Sequence, residues 1–506
     1  MSHLARSTLI VAIFFGLEKG LGFLRQVAIA RQFGLSPELD SFNAANNVPD
    51  LIFALISGGA LAIALIPVLS QTMQEQNRSA AWEVFSRIAN LVFLVTAGLS
   101  ILVALFAEPL VGWRLGIAPG FTTPQQELVA DLMRLNLFAT LLLSIGGLVI
   151  AGLQANQHFL LPALAPSMYD LGTLLGVFIL APEQGYQIGP LTLPAFGMGI
   201  HGLVYGTILG AALFLLIQIP GMVRFGYRWK PVLSLAHPRV QQILRLLGPR
   251  VVHMFFIQVI FLGQDNIASR LNAGSISALV YGWLFMQVPE TLIGTAIGTA
   301  LLPTLSEQIA RHELDRYQIT LNHILRLILA LTIPSAVLIS LILPPVVAIL
   351  GFDADGSSLV VWTARAFMLG LMGHSLLEVA ARGFYARQNA RTPMLSAILN
   401  AVVFLSLAAL LAPRLGAPGI ALANSIAFTG QAFLLLFLLR RQFPGLLQVG
   451  STLLRVIIIT SVAGLLVYGL LQLSLPALPL AVLALLAGGI VVIPFIWPEI
   501  KLLIKL

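Results

Sequence analysis

Apolar positions in this chain neither alternate with polar ones nor keep to one helical face. They run on almost unbroken, as from Leu91 to Phe106 and from Val456 to Leu473. About 20 mostly apolar residues suffice for a helix to cross a hydrocarbon layer of roughly 30 Å, so such runs predict spanning helices. Strands of a membrane barrel would alternate, and that architecture is excluded. The pattern places helices near 8–30, 40–70, 87–107, 127–150, 160–181, 197–220, 242–268, 276–305, 321–350, 358–381, 392–412, 417–439, 453–474 and 477–498. The fold class is therefore an all-α polytopic membrane protein of about fourteen transmembrane helices. The first segment is read as an uncleaved span, because Glu18, Lys19 and Arg25 interrupt it and no small-residue cleavage site follows.

Composition sharpens this. With 58% hydrophobic and 9% charged residues over 506 positions, the chain holds far more apolar surface than a water-soluble domain could bury. It has no cysteine, which excludes disulfides and thiolate metal sites. A net charge of +8 raises the question of nucleic acid, and the distribution of that charge decides it. An even number of spans puts both termini on one face. The connections expected there carry eighteen basic residues, among them Arg224, Arg228, Lys230, Arg440 and Arg441, against four on the other face, Arg31, Arg114, Arg270 and Arg414. By the positive-inside rule both termini are cytoplasmic, and the basic balance needs no nucleic acid.

An internal repeat organises the spans. Gly152-Leu-Gln-Ala-Asn-Gln-His-Phe-Leu-Leu-Pro162 parallels Gly383-Phe-Tyr-Ala-Arg-Gln-Asn-Ala-Arg-Thr-Pro393, and the next helices open with Gly199-Ile200 and Gly419-Ile420. Pro49 and Pro67 bracket an apolar stretch as Pro289 and Pro303 do. A parallel repeat predicts two six-helix lobes, 1–220 and 242–441, with an extra helix pair at 453–498. Between the lobes, 221–247 holds Tyr227, Trp229 and several basic residues, which suits either an amphipathic segment on the anionic cytoplasmic leaflet or a plain solvated linker. Glycines 202, 206 and 210, and 294 and 298, recur every four residues and permit close helix approach.

Ionisable groups inside spans are expensive, at least about 2.5 kcal/mol each at the centre, and they mark pathways or internal pairs. Glu18 and Arg25 lie seven apart on nearly one face of the first helix, so one partly neutralises the other. Lys19 and Arg25 then leave positive charge suited to a phosphate or pyrophosphate, the bland reading being a pair network that only holds helices together. Asp40 either stabilises a helix start through the dipole or belongs to the site. Asp131 and Arg134 are spaced to pair locally. Asp265 with Asn266 offers a carboxylate and an amide oxygen to a coupling ion, sodium or a proton, or makes a structural contact. The spacing of Asp170, Glu290, Arg365 and Glu378 assigns them no task.

Enzyme motifs are thin. Asp353-Ala-Asp355 has the aspartate spacing of some metal-dependent glycosyltransferases but reads better as an ordinary turn. No His-Glu-x-x-His and no phosphate-binding loop occur, so neither a zinc hydrolase nor direct ATP drive is indicated.

The run Leu21-Gly-Phe-Leu-Arg25, Ala30-Arg-Gln-Phe-Gly34, Asp40-Ser-Phe42 and Pro49 resembles the opening of the lipid II flippases called MurJ or MviN, of the MATE-like exporter superfamily. Asp265-Asn266, Gly274-Ser-Ile-Ser277, Tyr281, Gln287-Val-Pro289, Leu302-Pro303, Arg382-Gly-Phe-Tyr-Ala-Arg-Gln388 and Thr392-Pro393 resemble that family's second-lobe motifs. The resemblance implies a V-shaped pair of lobes opening alternately to each side. The charged headgroup of an undecaprenyl-diphosphate-linked peptidoglycan precursor would pass through a cationic cavity while the tail stays in lipid, along a groove of the terminal helix pair. It also implies an inner-membrane location, partners among membrane lipids and cell-wall synthesis enzymes, no cofactor, and coupling to membrane potential, sodium or protons. Lys19 and Arg25 match two cavity cations of the family, and Glu18, Asp40 and Gln287 are counted with them as substrate-binding. Departures are equally specific: Phe53 and Ala54 stand where many members have second-helix arginines, Leu284 and Trp283 replace an arginine and its acidic neighbour, and Gly58-Gly59-Ala60 replaces Glu-Gly-Ala. The alternatives are a flippase for another polyprenyl-linked glycan or a drug exporter, a scaffold for cell-wall enzymes, and a membrane glycosyltransferase.

Overall fold

The computed structural model describes residues 3–56 and 60–505, with some side chains near the first helix and elsewhere left out. The departure at Gly58, Gly59 and the Ala60 side chain lies outside the described residues. In the first part of the chain the helices are α1 (His3–Phe33), α2 (Pro37–Ile56), α3 (Ala60–Glu75), α4 (Arg78–Leu105), α5 (Ala107–Gly112), α6 (Thr123–Ala155), α7 (Leu160–Leu175), α8 (Gly199–Leu216), α9 (Ile219–Arg224) and α10 (Pro238–Ala268). They continue as α11 (Ser275–Glu290), α12 (Ala296–Ala310), α13 (Leu314–Val347), α14 (Ala354–Met368), α15 (Leu371–Ala386), α16 (Arg391–Leu415), α17 (Ala417–Gln442), α18 (Gly450–Leu470) and α19 (Ala477–Lys505). Among the described residues the expected spans are helical, the one at 40–70 as two helices, α2 and α3, and eleven helical stretches are long and apolar enough to cross a membrane. A small hairpin pairs Gln187–Ile188 with Leu191–Thr192.

The differences from the expected boundaries have local causes. Helix α4 begins nine residues earlier than its apolar run because Asn77 caps it, its side chain accepting from the Ala80 N–H at 2.9 Å. Two spans change pitch inside the membrane, at the π-helical turns Gly176–Leu180 and Thr291–Thr295, which no hydropathy pattern announces. Asp353 caps α14 by accepting from the Gly356 N–H at 2.9 Å, which is the turn reading of that motif.

The chain divides into two compact units, Met1–Asn266 and Ile267–Leu506. The seventh span, expected to open the second lobe, goes with the first unit: Arg239 pairs with Glu75, Gln258 donates to the Asp50 carbonyl at 3.4 Å, and Asn266 donates to the Gly116 carbonyl at 2.6 Å. Residues 227–234 are non-helical and laid against α4, with Trp229 donating to Asn90 at 2.8 Å, Asn90 donating to the Lys230 carbonyl at 2.8 Å, and Lys230 pairing with Glu83 at 2.8 Å. Tyr227 completes an aromatic cluster with Trp82 and Phe85, and burial there pushes its hydroxyl pKa up.

The repeat is written in the backbone. Gln157 and Gln388, the same position in the two motifs, both adopt left-handed φ, 59° and 58°, rare for a non-glycine residue. The following amides, His158 and Asn389, each turn back at 3.0 Å to the carbonyls of Leu153 and Phe384, again equivalent positions. Both turns close a helix and aim the next one.

The core of the first unit gathers Leu65, Leu69, Trp82, Phe85, Ile88 and Leu153. In the second unit Tyr317, Leu321, Phe384, Leu435 and Leu439 do the same, and α13 extends into a further cluster with Val456, Ala463, Ala484 and Val492 of the terminal helices. In the first unit α7 and α8 meet along glycines: a methyl group added at Gly206 would lie 2.5 Å from Gly176 Cα, and one at Gly202 2.5 Å from the Ala181 nitrogen. The four-residue spacing thus has the packing role expected of it.

Candidate functional site

On α1 the ionisable residues choose partners that the spacing did not indicate. Seven residues rise about 10 Å along a helix, too far for Glu18 to touch Arg25 directly. Arg25 instead pairs across to Asp170 of α7 at 2.7 Å, and its guanidinium sits 5.5 Å from the centre of the Tyr169 ring. Gly22, one turn before Arg25, leaves room for that carboxylate, since a Cβ there would stand 3.6 Å from Asp170 Oδ2. The glycine seam fixes α7 against α8 and so fixes where Asp170 points. Glu18 contacts its neighbour Lys19 at 3.3 Å. The four charges cancel two by two, which corrects the expectation of net positive charge: Asp170, left without a task by its spacing, supplies the missing anion.

The two cations nevertheless differ. The Lys19 side chain is 62% exposed and tied to an adjacent residue, whereas Arg25 is 22% exposed and held by a carboxylate that is 5% exposed. Lys19 is the more exposed of the two; Arg25 is held between helices. Asp40 lies in the first turn of α2, buried, where its negative charge favours the helix N-terminus. Gln287 is exposed on α11.

Asp265 and Asn266, near the end of α10, face different neighbours. The Asp265 carboxylate is buried and accepts from the Asn47 amide of α2. The Asn266 amide donates to the carbonyls of Gly116 at 2.6 Å and Arg114 at 3.2 Å. A further amide pair, Asn136 to Asn46 at 2.7 Å, links α6 to α2 nearby in the chain. Amides in the middle of apolar spans were visible in the sequence, but their mates lie on other helices. Asp131 meets Arg134 at 3.0 Å as its spacing predicts, and Glu108 joins them at 2.9 Å. No group of three or more His, Cys, Asp or Glu residues able to hold a metal ion occurs among the described residues.

The second unit carries its own ionisable set, on α11, the π-helical turn Thr291–Thr295 and α15. Arg382 pairs with Glu378 one turn before it and also donates to the Glu378 carbonyl at 3.3 Å. Glu290 receives the Thr295 hydroxyl, 3.1 Å from one carboxylate oxygen and 3.3 Å from the other. Ser375 is fully buried beside Gly294, and its Oγ has no hydrogen-bond partner. Trp283, at the position of the missing acidic neighbour, packs edge-on against Phe367 and His374, and His374 meets Asn424 at 2.9 Å. Leu284 beside it carries no charge, so this stretch of α11 offers a ring and an alkyl chain where an ion pair would stand.

The profile of the family described as lipid II flippase MurJ matches residues 29–487. The lipid II flippase MurJ of Burkholderia cenocepacia is 28% identical over 450 residues, covering 87% of this chain and 84% of that protein. The probable lipid II flippase MurJ of Vibrio cholerae is 27% identical over 446 residues, covering 85% and 82%. In fold, the chain is similar to a solved lipid II flippase MurJ in an inward closed conformation, with a TM-score of 0.80, 22% identity and coverage of 98% of this chain and 100% of that one. A solved multidrug resistance MATE family transporter of the MOP superfamily aligns with a TM-score of 0.68 at 14% identity, over 85% of this chain and 97% of its own.

Proposed function

This chain belongs to the lipid II flippase MurJ family and is a transporter rather than an enzyme, and from that premise we propose that it moves lipid II, the undecaprenyl-diphosphate-linked peptidoglycan precursor, from the cytoplasmic to the outer leaflet by alternating access. The reading places the protein in the inner membrane with both termini cytoplasmic, as the eighteen-to-four distribution of basic residues favours. Lys19 receives the diphosphate and Arg25 holds it. Glu18, adjoining Lys19, is counted with them.

The observation that carries this is the contrast between Lys19 and Arg25 of α1. An exposed contact such as Lys19 with Glu18 is worth about 0–1 kcal/mol, so a diphosphate oxygen can replace the carboxylate at little cost. Arg25 stays fixed by Asp170 and still has guanidinium N–H groups to offer an incoming phosphate. The headgroup thereby gains a mobile ligand and a fixed one. The apolar residues exposed along α18 and α19, including Leu454, Leu465 and Ile490, support a role for the pair 453–498 as the track for the isoprenoid tail.

Drive comes from the membrane potential or a cation gradient: one charge moved through 100 mV yields about 2.3 kcal/mol, enough to bias two nearly balanced states. Asp265 is one candidate for the group that takes up the ion, being a buried carboxylate that accepts from the Asn47 amide, with Asn266 beside it.

Complementation tests the proposal. Cells whose own lipid II flippase is depleted survive on the wild-type chain, while Arg25→Ala and Lys19→Ala abolish growth despite normal membrane insertion. Full growth of both variants would remove these residues from the mechanism. A transport assay with defined lipids separates lipid II from other polyprenyl-linked glycans and from drugs.

A further inference from the structure

We infer that the groove around Arg365 and Arg414, formed by α13, α14, α16 and α17 of the second unit, is a seat for one phospholipid with a singly charged phosphodiester headgroup, such as phosphatidylglycerol. This goes beyond the transport reading, because the ligand is a resident lipid and not the cargo.

The local chain builds the groove. Helix α13 gives way to α14 at the Asp353 cap, and α16 turns into α17 at Gly416, whose φ of 64° suits glycine. One stretch, Ala354–Ala386, crosses away from the first junction and another, Arg391–Leu415, returns to the second. Both junctions therefore lie on one face, the outer one by the distribution of basic residues. Along α14 and the residue that ends it, Asp355, Ser358, Trp362, Arg365 and Leu369 follow each other by three or four positions, which puts them on one stripe. That stripe lines a cavity of about 850 Å³ together with Arg414 and Leu415. Sites for whole small ligands measure roughly 300–1,000 Å³.

Charge selects the ligand. Arg365 lies ten residues beyond Asp355, about 15 Å along the helix, at a depth where an arginine is costly without an anion. It makes no ion pair among the described residues. Its Nε donates to the Ser340 carbonyl at 3.1 Å, an acceptor left open because Pro344, four residues on, has no N–H to give. Its guanidinium carbon lies 5.1 Å from the centre of the Trp362 ring, as expected of a side chain leaning back toward the start of its helix. These contacts hold the group in place and use one of its five N–H donors. Arg414, exposed in the last turn of α16, has no ion pair among the described residues either. Two arginines and Asp355 leave the groove one positive charge, which a phosphodiester neutralises.

Apolar surface completes the match. Trp362, Leu369 and Leu415 are exposed beside those cations. A free phosphate would leave these side chains uncovered, and a plain hydrocarbon would leave the arginines unanswered. A phospholipid satisfies both, its phosphate between the guanidinium groups and an acyl chain along the ring and the leucines.

The test places the purified full-length protein in phosphatidylcholine vesicles doped with equal shares of acyl-brominated phosphatidylglycerol or acyl-brominated phosphatidylcholine. Bromine quenches a tryptophan it touches, and comparison with Trp362→Phe isolates that residue's signal among six tryptophans. Trp362 is expected to be quenched at a lower mole fraction of phosphatidylglycerol than of phosphatidylcholine. Arg414→Gln and Arg365→Gln, each measured with its own Trp362→Phe counterpart, should weaken that preference by about fivefold apiece. Arg414→Gln changes an exposed helix end, so it carries the test even if Arg365→Gln fails to fold. Equal quenching by the two lipids in the wild type would overturn the proposal, as would a preference that Arg414→Gln leaves unchanged. So would a preference abolished by inorganic phosphate at constant ionic strength, which would assign the arginines to a soluble anion. No transport enters the readout, so a wild type that binds the lipid yet fails complementation would refute the lipid II assignment and leave this site standing.

Discussion

In the first unit Lys19 and Arg25 of the opening helix each have a carboxylate partner, Arg25 on a neighbouring helix and Lys19 next door, whereas in the second unit Arg382 pairs with Glu378 and Glu290 accepts from the Thr295 hydroxyl without an ion pair of its own among the described residues. Both units put ionisable groups into apolar spans, and both must offset the cost. They do so differently. A matched pair is self-sufficient and offers a visiting anion an exchange of partners, the more easily where the pair is exposed. A carboxylate held by hydroxyls keeps its charge without a dedicated ion pair. The matched arrangement suits a large anionic headgroup that must enter and leave.

The strongest way to break this comparison is to remove the buried member of the matched pair. Asp170→Ala leaves Arg25 without its anion and is expected to cost about 3 kcal/mol of stability. A double-mutant cycle with Arg25→Ala measures the coupling, which should recover roughly 1–3 kcal/mol of the summed losses. Strict additivity would mean that the 2.7 Å contact contributes nothing. Next comes the opposite sign in the second unit: Glu290→Gln removes a charge that has no ion pair of its own among the described residues and should raise stability by about 1 kcal/mol. A loss comparable to that of Asp170→Ala would mean Glu290 has a partner of its own and would erase the contrast. Lys19→Gln should change the melting free energy by less than about 0.5 kcal/mol while abolishing growth in complementation, separating a ligand group from a structural one. Smallest is Asp131→Ala. This exposed pair with Arg134 keeps Glu108 as a substitute partner, so the expected change is under about 0.5 kcal/mol and growth is unaffected.

The spans were legible because a bilayer forces the backbone to satisfy itself within each crossing, and continuous apolar runs of sufficient length have no other stable solution. The repeat was legible because Gly152 to Pro162 and Gly383 to Pro393 preserve a turn whose left-handed residue, Gln157 or Gln388, dictates the exit of the following helix. What escaped was anything set by a contact between helices. Asp170 carried no local spacing that named Arg25, although an aspartate inside an apolar run is itself notice that a cation lies within reach. The same holds for Asn47 and Asp265, more than two hundred positions apart. The π-helical turns escaped for a different reason: they alter pitch without altering hydropathy, so Glu290 and Thr295, five apart, gave no pattern to notice. The docking of 227–234 on α4 escaped because it rests on aromatic and amide contacts between residues far apart in the chain.

The glycine seam of the first unit has a mechanical corollary. Where α7 and α8 touch backbone to backbone at Gly172, Gly176, Gly202, Gly206 and Gly210, no side chain remains to slide or repack, and the two helices are laminated into one stiff plank. Asp170 rides on that plank and grips Arg25, so an electrostatic latch ties the opening helix to it. Tilting of the opening helix must either carry the whole laminate along or undo the latch, and an incoming phosphate is the natural key.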